Sequence, residues 1–358
     1  MVKILMGVTA VTLATAYAFV CSYVYLEPTL PTVAAMKNNE LSVPLRVYTR
    51  NGELIAQIGE QRRNPVRFEQ IPELVKNAFI AAEDDQFFEH HGFDWKGIVR
   101  ALFVNVTSAQ RQGGSTITMQ AARNMFLTLD KTPRRKLSEV FVTVRMERDF
   151  TKEQILATYL NVIFFGQRSY GIAAAAETFY GKRLEELSVG QAATLAGIVQ
   201  APARYNPVTS PQYAQVRRNY VLRRMTELGF IDETTAEKAR KEPVASRGFA
   251  PLVDVEAPYV AELARQDLIN RFGADAVNSG YKVFTTLDGR LQTAANRAVR
   301  LGLIEYDRRH GYRGPITHIT LPATHEPAKL DALIGARGSV GILQAAVVTR
   351  VDANAAQV

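Results

Sequence analysis

The chain has 358 residues, of which 47% are hydrophobic and 22% are charged, so it can bury a substantial core and is not a disordered polypeptide. Its formal net charge of +8 favours an anionic partner, such as a phosphate-bearing ligand, a nucleic acid or an anionic lipid surface. The single cysteine, Cys21, excludes a disulfide framework and a cysteine metal site.

The first 26 residues predict a membrane anchor. No charged side chain occurs from Ile4 to Leu26, and a helix of this length spans about 34 Å, enough for the core of a bilayer. This run is longer than the apolar region of a cleaved signal peptide, and Lys3 before it favours an N-terminus inside the cell. We therefore expect a signal anchor with the body of the protein outside the cytoplasm, which argues against a nucleic-acid partner.

A β-hairpin is predicted after the anchor. Two β-prone runs, residues 45–50 and 53–58, flank Asn51-Gly52, and this dipeptide is the strongest short-range signal for a hairpin. We interpret the hairpin as a structural stalk between the membrane and the body of the protein.

The central segment begins with a helix that carries the first candidate catalytic residue. Pro72 suits the first helical position, and the apolar residues from Val75 to Ala82 recur at helical spacing. Glu83 lies one turn after Phe79, at the margin of this apolar row, where partial desolvation would raise its pKa and make it a better base. A solvated helix end is the commoner explanation for an acidic cluster such as residues 83–92.

A turn that could bind an anion follows. We expect a helix over residues 95–106, a polar break over 107–114, and a further helix with Ser115 as its cap. A Gly113-Gly114 turn leading into a helix leaves backbone N–H groups pointing outward, which suits an anion, although most such turns are only turns.

The next predicted helix starts at Thr132 and carries a second candidate carboxylate, Glu139. Arg135 and Lys136 lie four and three residues before it, a spacing that usually gives only surface ion pairs. The alternative is a carboxylate held by two cations opposite the first one. Residues 111–148 contain eight basic side chains and three acidic ones, an excess that indicates a phosphate site.

The rest of the chain is predicted to be helical at first and β-like towards the end. Helices are expected at 151–161, 171–179, 190–201 and 212–228, a linker at 243–258, and β-like runs at 281–287 and 341–348, with Arg217, Arg218, Arg223 and Arg224 on the exposed side of the helix at 212–228.

Four motifs follow one another along the central segment: Glu83-Asp84-x-x-Phe87-x-x-His90-x-Gly92, Gly113-Gly114-Ser115-Thr116-Ile117-Thr118-x-Gln120, Arg135-Lys136-x-x-Glu139 and Ile155-Leu156-x-x-Tyr159-Leu160-Asn161. They resemble the ordered motifs of the peptidoglycan glycosyltransferases (glycosyltransferase family 51), the N-terminal module of class A penicillin-binding proteins. The resemblance covers residues 44–231, and the anchor and hairpin are similar to the 1A branch of the family. Ala157 and Gln191 stand where the family generally has Glu.

The resemblance implies a mainly helical, lysozyme-like fold that polymerises lipid II into glycan strands and releases undecaprenyl diphosphate. Glu83 matches the catalytic acid/base, which takes the proton from the acceptor's 4-hydroxyl, and Glu139 matches the second essential carboxylate. The implied substrate-binding residues are Ser115, Thr116, Gln120, Arg123, Lys131, Arg135, Lys136 and Asn161, with Asp84, Phe87, His90, Gly113 and Gly114 as motif support.

The resemblance also implies partners and a location. We expect lipid II and the growing glycan strand as ligands, the cytoplasmic (inner) membrane as the site of action, and cell-wall assembly proteins as partners. No cofactor is required by the sequence. A divalent metal, Mg²⁺ or Mn²⁺, on the diphosphate is compatible with this chemistry, although the sequence shows no dedicated cage for one.

The expected organisation has five parts, the last two being an α+β segment. Ser279-Gly280-Tyr281-Lys282 fits the Ser-x-x-Lys motif of a transpeptidase in letters only, and no Lys-Thr-Gly follows it. We therefore interpret the chain as the N-terminal portion of a bifunctional enzyme. The parts are a cytoplasmic tip and transmembrane anchor (1–26), a stalk with the hairpin (27–64), the glycosyltransferase domain (65–242), a linker and the start of the transpeptidase region (243–313), and the truncated start of an inserted β domain (314–358).

Two other functions stay open from the residues alone. Two carboxylates on a lysozyme-like scaffold also serve a lytic or hydrolytic enzyme, although the basic residues favour a diphosphate leaving group over a neutral glycan. The other alternative is a non-catalytic, membrane-anchored scaffold for cell-wall assembly.

Overall fold

The computed structural model is mainly helical, as predicted, and divides into two compact units, Met1–Ala294 and Ala295–Val358. It describes residues 2–37, 41–95, 97, 114–127, 132–244, 246–249, 253–311, 314–320, 330, 334, 339–340, 343–352 and 356–357.

The helices of the described residues largely follow the predicted order. The predicted helix at 95–106 lies outside the described residues except for Trp95 and Gly97. The helices are α1 (Val2–Leu26), α2 (Val33–Lys37), α3 (Glu73–Glu83), α4 (Ile117–Phe126), α5 (Pro133–Asp149), α6 (Lys152–Val162), α7 (Ile172–Tyr180), α8 (Val189–Ile198), α9 (Pro211–Glu227), α10 (Glu233–Lys241), α11 (Pro258–Phe272) and α12 (Gly289–His310), the last of which crosses the boundary between the units.

The end of α1 packs against α5. The rings of Phe19 and Tyr23 lie 5.0 and 5.2 Å from the ring of Phe141, and Arg145 donates a 2.8 Å hydrogen bond to the carbonyl of Pro31. Among the residues that the structure describes, none of the helices is long and apolar enough to cross a membrane. The N-terminal segment is thus attached to the helix that carries Glu139.

The main core lies between α3 and the helices from α4 to α9. The predicted apolar row of α3 is buried, and Phe79 contacts the rings of Tyr159 and Phe165 edge-on at its centre. The alanine-rich helices α7 and α8 are buried as predicted. At Gly197 an added Cβ would lie 2.9 Å from Cγ of Arg217, so glycine allows α8 and α9 to approach closely. This packing holds α9 beside the end of α3.

A three-stranded sheet forms around the predicted hairpin. β1 (Leu45–Tyr48) pairs antiparallel with β2 (Leu54–Ile58) through the Asn51-Gly52 turn, and parallel with β6 (Lys282–Phe284). The sequence predicts the hairpin as a stalk, separate from the residues after 243. In the structure the sheet packs on α11 in a second core, because two strands alone bury too little surface to be stable.

The short strands complete the fold. β3 (Arg62–Arg63) pairs parallel with β5 (Ser169–Tyr170), which pairs antiparallel with β4 (Phe164–Gly166). In the second unit β7 (Ser339–Val340) pairs with β8 (Leu343–Gln344), and β9 (Arg350–Val351) pairs with β10 (Ala356–Gln357).

Candidate active site

Glu83 is the last residue of α3, and its side chain is only 12% exposed. Nε2 of Gln120, on α4, donates a 2.8 Å hydrogen bond to its Oε2, and Nη2 of Arg217, on α9, lies 3.9 Å from its Oε1. Burial raises the pKa of Glu83 above its ordinary value, and the bond from Gln120 and the charges of Arg217 and Arg123 oppose this increase only in part. The predicted desolvated carboxylate is therefore present, and it has an amide donor and a nearby cation.

A cavity of about 680 Å³ opens beside Glu83. Its lining residues come from the end of α3, the start of α4 and α9. Four arginines from α4 and α9 line the cavity together with five carboxylates, so an anion inside it would meet charges of both signs. Its lining includes Glu83, Asp84, Asp85, Gly114, Ser115, Thr116, Gln120, Arg123, Arg217, Tyr220, Arg223, Arg224 and Glu227.

The turn after Glu83 is tied to the start of α4 by Asp84. This buried carboxylate accepts a hydrogen bond of 2.9 Å from the backbone N–H of Ile117 and another of 2.9 Å from Nε2 of His90. Nδ1 of His90 accepts from the N–H of Gly92 at 3.1 Å, so Nε2 carries the proton that His90 donates. Asp84 and His90 therefore have structural roles: they hold the turn beside the catalytic candidate.

The cap of α4 is Thr116 rather than the predicted Ser115. The Thr116 side chain accepts from the N–H of Met119 at 3.2 Å and donates to the carbonyl of Gly92 at 2.7 Å. Ser is in general a slightly better N-cap than Thr, and here the hydrogen bond of Thr116 to Gly92 favours Thr116. The anion at this helix N-terminus is the protein's own Asp84, so the predicted anion site is partly filled from within.

Gly92 and Phe87 fix the same turn from the other side. Gly92 has a φ of +88°, and an added Cβ would lie 2.9 Å from Cγ2 of Thr143 and 3.0 Å from Cγ of Glu147. Phe87 is fully buried beneath Nζ of Lys152, which lies 4.7 Å from its ring centroid. Both motif residues therefore support the site by packing.

Glu139 forms both predicted ion pairs and is fully buried. Nη1 of Arg135 lies 2.6 Å from its Oε2, and Nζ of Lys136 lies 2.7 Å from its Oε1. The Lys136 side chain remains 49% exposed. Neither Glu139 nor its two cations are among the described residues that line the cavity, and a position of Glu139 opposite Glu83 stays a prediction.

The remaining predicted site residues fall into three groups. Gly114, Ser115 and Arg123 line the cavity. Asn161 is not among the described residues that line it: its amide donates to the carbonyl of Val66 at 2.8 Å and accepts from the N–H of Val66 at 2.9 Å, so the contacts that the structure shows for it are structural. Gly113 and Lys131 lie outside the described residues.

Three of the four α9 arginines that the sequence predicts to be exposed are not. Arg218 is buried and donates to the carbonyls of Arg240 and Glu242, whereas only Arg223 is exposed. Arg217 and Arg224 face the cavity, and Arg224 binds Asp85 at 2.6 Å. Their spacing of seven residues puts them on one face of a helix and could have revealed this wall.

Gln191, one of the two departures from the family pattern, has a local structural role. It forms a capping box with Ser188 at the start of α8, and its Oε1 accepts from Nζ of Lys182 at 3.2 Å. A neutral amide thus replaces the ion pair that a glutamate would make there. Ala157 is half-buried on α6.

Comparison with known proteins identifies the family. Residues 51–226 match the family model described as Transglycosylase. The chain is 45% identical over 336 residues to penicillin-binding protein 1A of Pseudomonas aeruginosa, covering 94% of this chain and 40% of that protein. It is 46% identical over 294 residues to penicillin-binding protein 1A of Escherichia coli, covering 82% of this chain and 35% of that protein.

A crystal structure of penicillin-binding protein 1A from Haemophilus influenzae aligns with a TM-score of 0.47 at 31% identity, covering 88% of this chain and 38% of that one. The chain thus spans about two fifths of the length of the relatives it matches. The chain belongs to the transglycosylase family and carries the glycosyltransferase module of the class A penicillin-binding proteins.

Proposed function

We propose that this chain is a peptidoglycan glycosyltransferase that polymerises lipid II and releases undecaprenyl diphosphate. The observation that carries the proposal is Glu83 itself: a buried carboxylate at the wall of a cavity, bound by Gln120 and close to the cation of Arg217. The match of residues 51–226 to the transglycosylase family supports the same chemistry.

Glu83 acts as the general base. The 4-hydroxyl oxygen of the acceptor sugar attacks the anomeric carbon of the donor, the bond from that carbon to the diphosphate oxygen breaks, and the hydroxyl proton passes to the Glu83 carboxylate. A base works best when its pKa lies near the working pH, and burial moves the pKa of Glu83 in that direction.

The cations of the cavity stabilise the leaving group. A diphosphate gains negative charge as the glycosidic bond breaks, so fixed positive charges lower the barrier more than a proton donor would. Arg123 on α4 and Arg217 on α9 both line the cavity. A neutral glycan has no anionic leaving group for these arginines to stabilise, so they favour transfer from a lipid diphosphate.

Glu139 has a different role from Glu83. It is fully buried, and it binds Arg135 and the half-exposed Lys136. Its negative charge offsets the repulsion between the two neighbouring cations, and its two oxygens fix the orientation of both side chains. We assign Glu139 to orienting these cations towards the donor diphosphate.

We assign no protein-held metal to this mechanism. Three of the carboxylates that line the described part of the cavity are engaged by protein donors: Gln120 binds Glu83, His90 binds Asp84, and Arg224 binds Asp85. These three carboxylates therefore do not form a free set of metal ligands. A divalent ion, Mg²⁺ or Mn²⁺, would reach the site bound to the substrate's own diphosphate.

The location and organisation that we propose follow from the relatives and from the sequence. Residues 1–26 form a signal anchor in the cytoplasmic membrane, with a lysozyme-like catalytic domain on the outer side. The chain is the N-terminal part of a bifunctional glycosyltransferase/transpeptidase, and cell-wall assembly proteins are its partners. The support is the uncharged run from Ile4 to Leu26 and the match to longer penicillin-binding proteins.

The products formed from labelled lipid II test the proposal. Detergent-solubilised protein should convert lipid II into long glycan strands and free undecaprenyl diphosphate. Shortening of preformed glycan strands without polymerisation would indicate the hydrolase instead. A folded chain that binds lipid II but forms no product would indicate a scaffold.

A further inference from the structure

Glu83 and Arg217 lie side by side in the cavity without a hydrogen bond between them. Nη2 of Arg217 is 3.9 Å from Oε1 of Glu83, beyond hydrogen-bond distance. Oε1 of Glu83 and Nε of Arg217 are both buried, and neither atom has a hydrogen-bond partner among the described residues. The distance between the two charges is therefore set by the segments that carry them, the end of α3 on one side and α9 on the other.

The Arg217 side chain is held to its own helix. An added Cβ at Gly197 of α8 would lie 2.9 Å from its Cγ, and its guanidinium carbon lies 4.3 Å from the ring centroid of Tyr220. Tyr220 is three residues later on α9, so this cation–π contact keeps the cation on the helix that carries it. A change in the position of α9 relative to Glu83 would therefore move Arg217 as well.

A close ion pair joins α9 to the turn that follows Glu83. Nη2 of Arg224 lies 2.6 Å from Oδ2 of Asp85, and both side chains are only 24% exposed. Nη1 of Arg224 binds Glu227 on the same helix, which fixes the direction of the guanidinium. Short charge-assisted bonds of this kind are stronger than neutral ones, and they constrain the positions of both partners.

Arg217 and Arg224 give α9 two contacts with this region, two helical turns apart. Their spacing of seven residues places them on one face of α9, about 10 Å from each other along the helix. Asp85 follows Asp84, whose carboxylate is bound to the N–H of Ile117 on α4. The turn after α3 is thus tied to α4 by one carboxylate and to α9 by the next.

We propose that Arg224 is a positioning residue: its bond to Asp85 clamps α9 against the turn after α3 and so holds the Arg217 cation beside Glu83. At this position Arg217 stabilises the charged form of the base without a hydrogen bond that would occupy Oε1. The inference rests on the proposed function in taking Glu83 as the base.

The electrostatics of Glu83 give the clamp a measurable effect. Burial raises the pKa of Glu83, and the bond from Gln120 and the charge of Arg217 oppose this increase. If the clamp opens and Arg217 withdraws, the pKa of Glu83 should therefore rise further. The groups that interact with Glu83 are Gln120 and Arg123 of α4, Asp84 of the turn, Arg217 of α9 and the buried Tyr159 of α6.

The sign of the change separates the clamp from a simple charge effect. Asp85→Asn keeps the size of the side chain but removes its negative charge, which leaves the cation of Arg224 without this partner. A lost negative charge would by itself lower the pKa of Glu83. An increase in this pKa would therefore mean that Arg217 has moved away.

The test is the pH dependence of lipid II polymerisation by the detergent-solubilised chain carrying Asp85→Asn. An opposite charge within about 4–6 Å lowers the pKa of a carboxylate by about one to three units, so partial withdrawal of Arg217 should move the acid limb up by about half a unit to one unit. Below the limb the rate then falls about threefold to tenfold. Glu233→Gln is the matched control, because it breaks a 2.6 Å ion pair with Arg240 on α10, and it should leave the limb in place.

A double substitution tests whether the effect passes through Arg217. In a chain that carries Arg217→Met the clamp has no cation to hold, so adding Asp85→Asn should move the acid limb no further. The same additional shift in that chain would overturn the inference. An unchanged limb, a downward shift, or an equal fall in rate at every pH for Asp85→Asn alone would also overturn it.

NMR titration of the ¹³C-labelled carboxyl of Glu83, assigned with Glu83→Gln, measures the same pKa without activity. We expect Asp85→Asn to raise this pKa by about half a unit to one unit. A wild-type chain that forms no polymer, but whose Glu83 pKa responds in this way, would refute the proposed function and support the clamp. A Glu83 pKa that does not rise in Asp85→Asn would refute the clamp.

Discussion

Nε2 of Gln120 donates a 2.8 Å hydrogen bond to Oε2 of Glu83, which joins the first turns of α4 to the last residue of α3. A neutral donor lowers the pKa of the carboxylate it binds, whereas burial raises it. At Glu83 burial is the larger effect, so the pKa remains raised. Gln120 therefore limits the increase in the pKa of Glu83, so that more of the carboxylate is charged at neutral pH.

Replacing Gln120 by Met should raise the pKa of Glu83. A hydrogen bond to a charged group is worth about 1.5–3 kcal/mol, so the acid limb of the polymerisation rate should move up by about one to two pH units. Gln212→Met, on the exposed surface of α9, is the control and should keep the wild-type profile. If both variants show the same profile as the wild type, Gln120 does not set the pKa of Glu83.

Glu83 should also make the stability of the chain depend on pH. Its pKa is higher in the folded chain than in the unfolded chain, so folding is favoured while Glu83 is protonated in both states, and this advantage is lost as the pH rises through the folded pKa. Glu83→Gln should therefore gain stability relative to the wild type between acid and neutral pH. Unfolding temperatures measured across this range check the prediction, and a constant difference at every pH would refute it.

Arg217 should matter for catalysis more than for folding. It lies 3.9 Å from Oε1 of Glu83 and lines the cavity, so Arg217→Met removes a cation both from the base and from the developing diphosphate charge. We expect kcat to fall on the order of a hundredfold. Lys238→Met, an exposed cation on α10, serves as the control for lost net charge. A similar small loss in both variants would mean that Arg217 acts only through overall charge.

Gly92 should be intolerant of any side chain. Its φ of +88° and the close contacts with Thr143 and Glu147 both oppose a Cβ, whereas Gly52 has a φ of +87° and nothing within 4 Å. Gly92→Ala should therefore cost about 1–3 kcal/mol more of unfolding free energy than Gly52→Ala. Both variants have the same backbone strain, so the difference between their unfolding free energies in denaturant measures the steric contacts of the added Cβ at Gly92. Equal losses of unfolding free energy would show that only backbone strain opposes a side chain at Gly92.

Features set by neighbours along the chain could be predicted from the sequence. The buried row of α3 places Glu83 at its margin, and the spacing of Arg135, Lys136 and Glu139 forms two ion pairs within one helix. The cap at Thr132 depends only on the local backbone. These features follow from helical periodicity and capping, which act over a few residues.

Features set by distant segments could not be predicted in this way. Arg217 and Arg218 are adjacent on α9, yet one faces Glu83 and the other binds backbone carbonyls at the end of α10. Asn161 belongs to a motif, but Val66, far away in the chain, occupies its amide. The pairing of β1 with β6 joins segments more than 200 residues apart. Periodicity carries no information about such contacts.

Glu83→Gln is the most direct test of the catalytic base. The substitution keeps the size of the side chain and removes its ability to take a proton, and Glu89→Gln, an exposed acid six residues later, makes the same chemical change outside the cavity. With labelled lipid II and detergent-solubilised chain, we predict glycan strands from the wild type and from Glu89→Gln, and none from folded Glu83→Gln. Polymer formed by Glu83→Gln at the wild-type rate would contradict the assignment of Glu83 as the base.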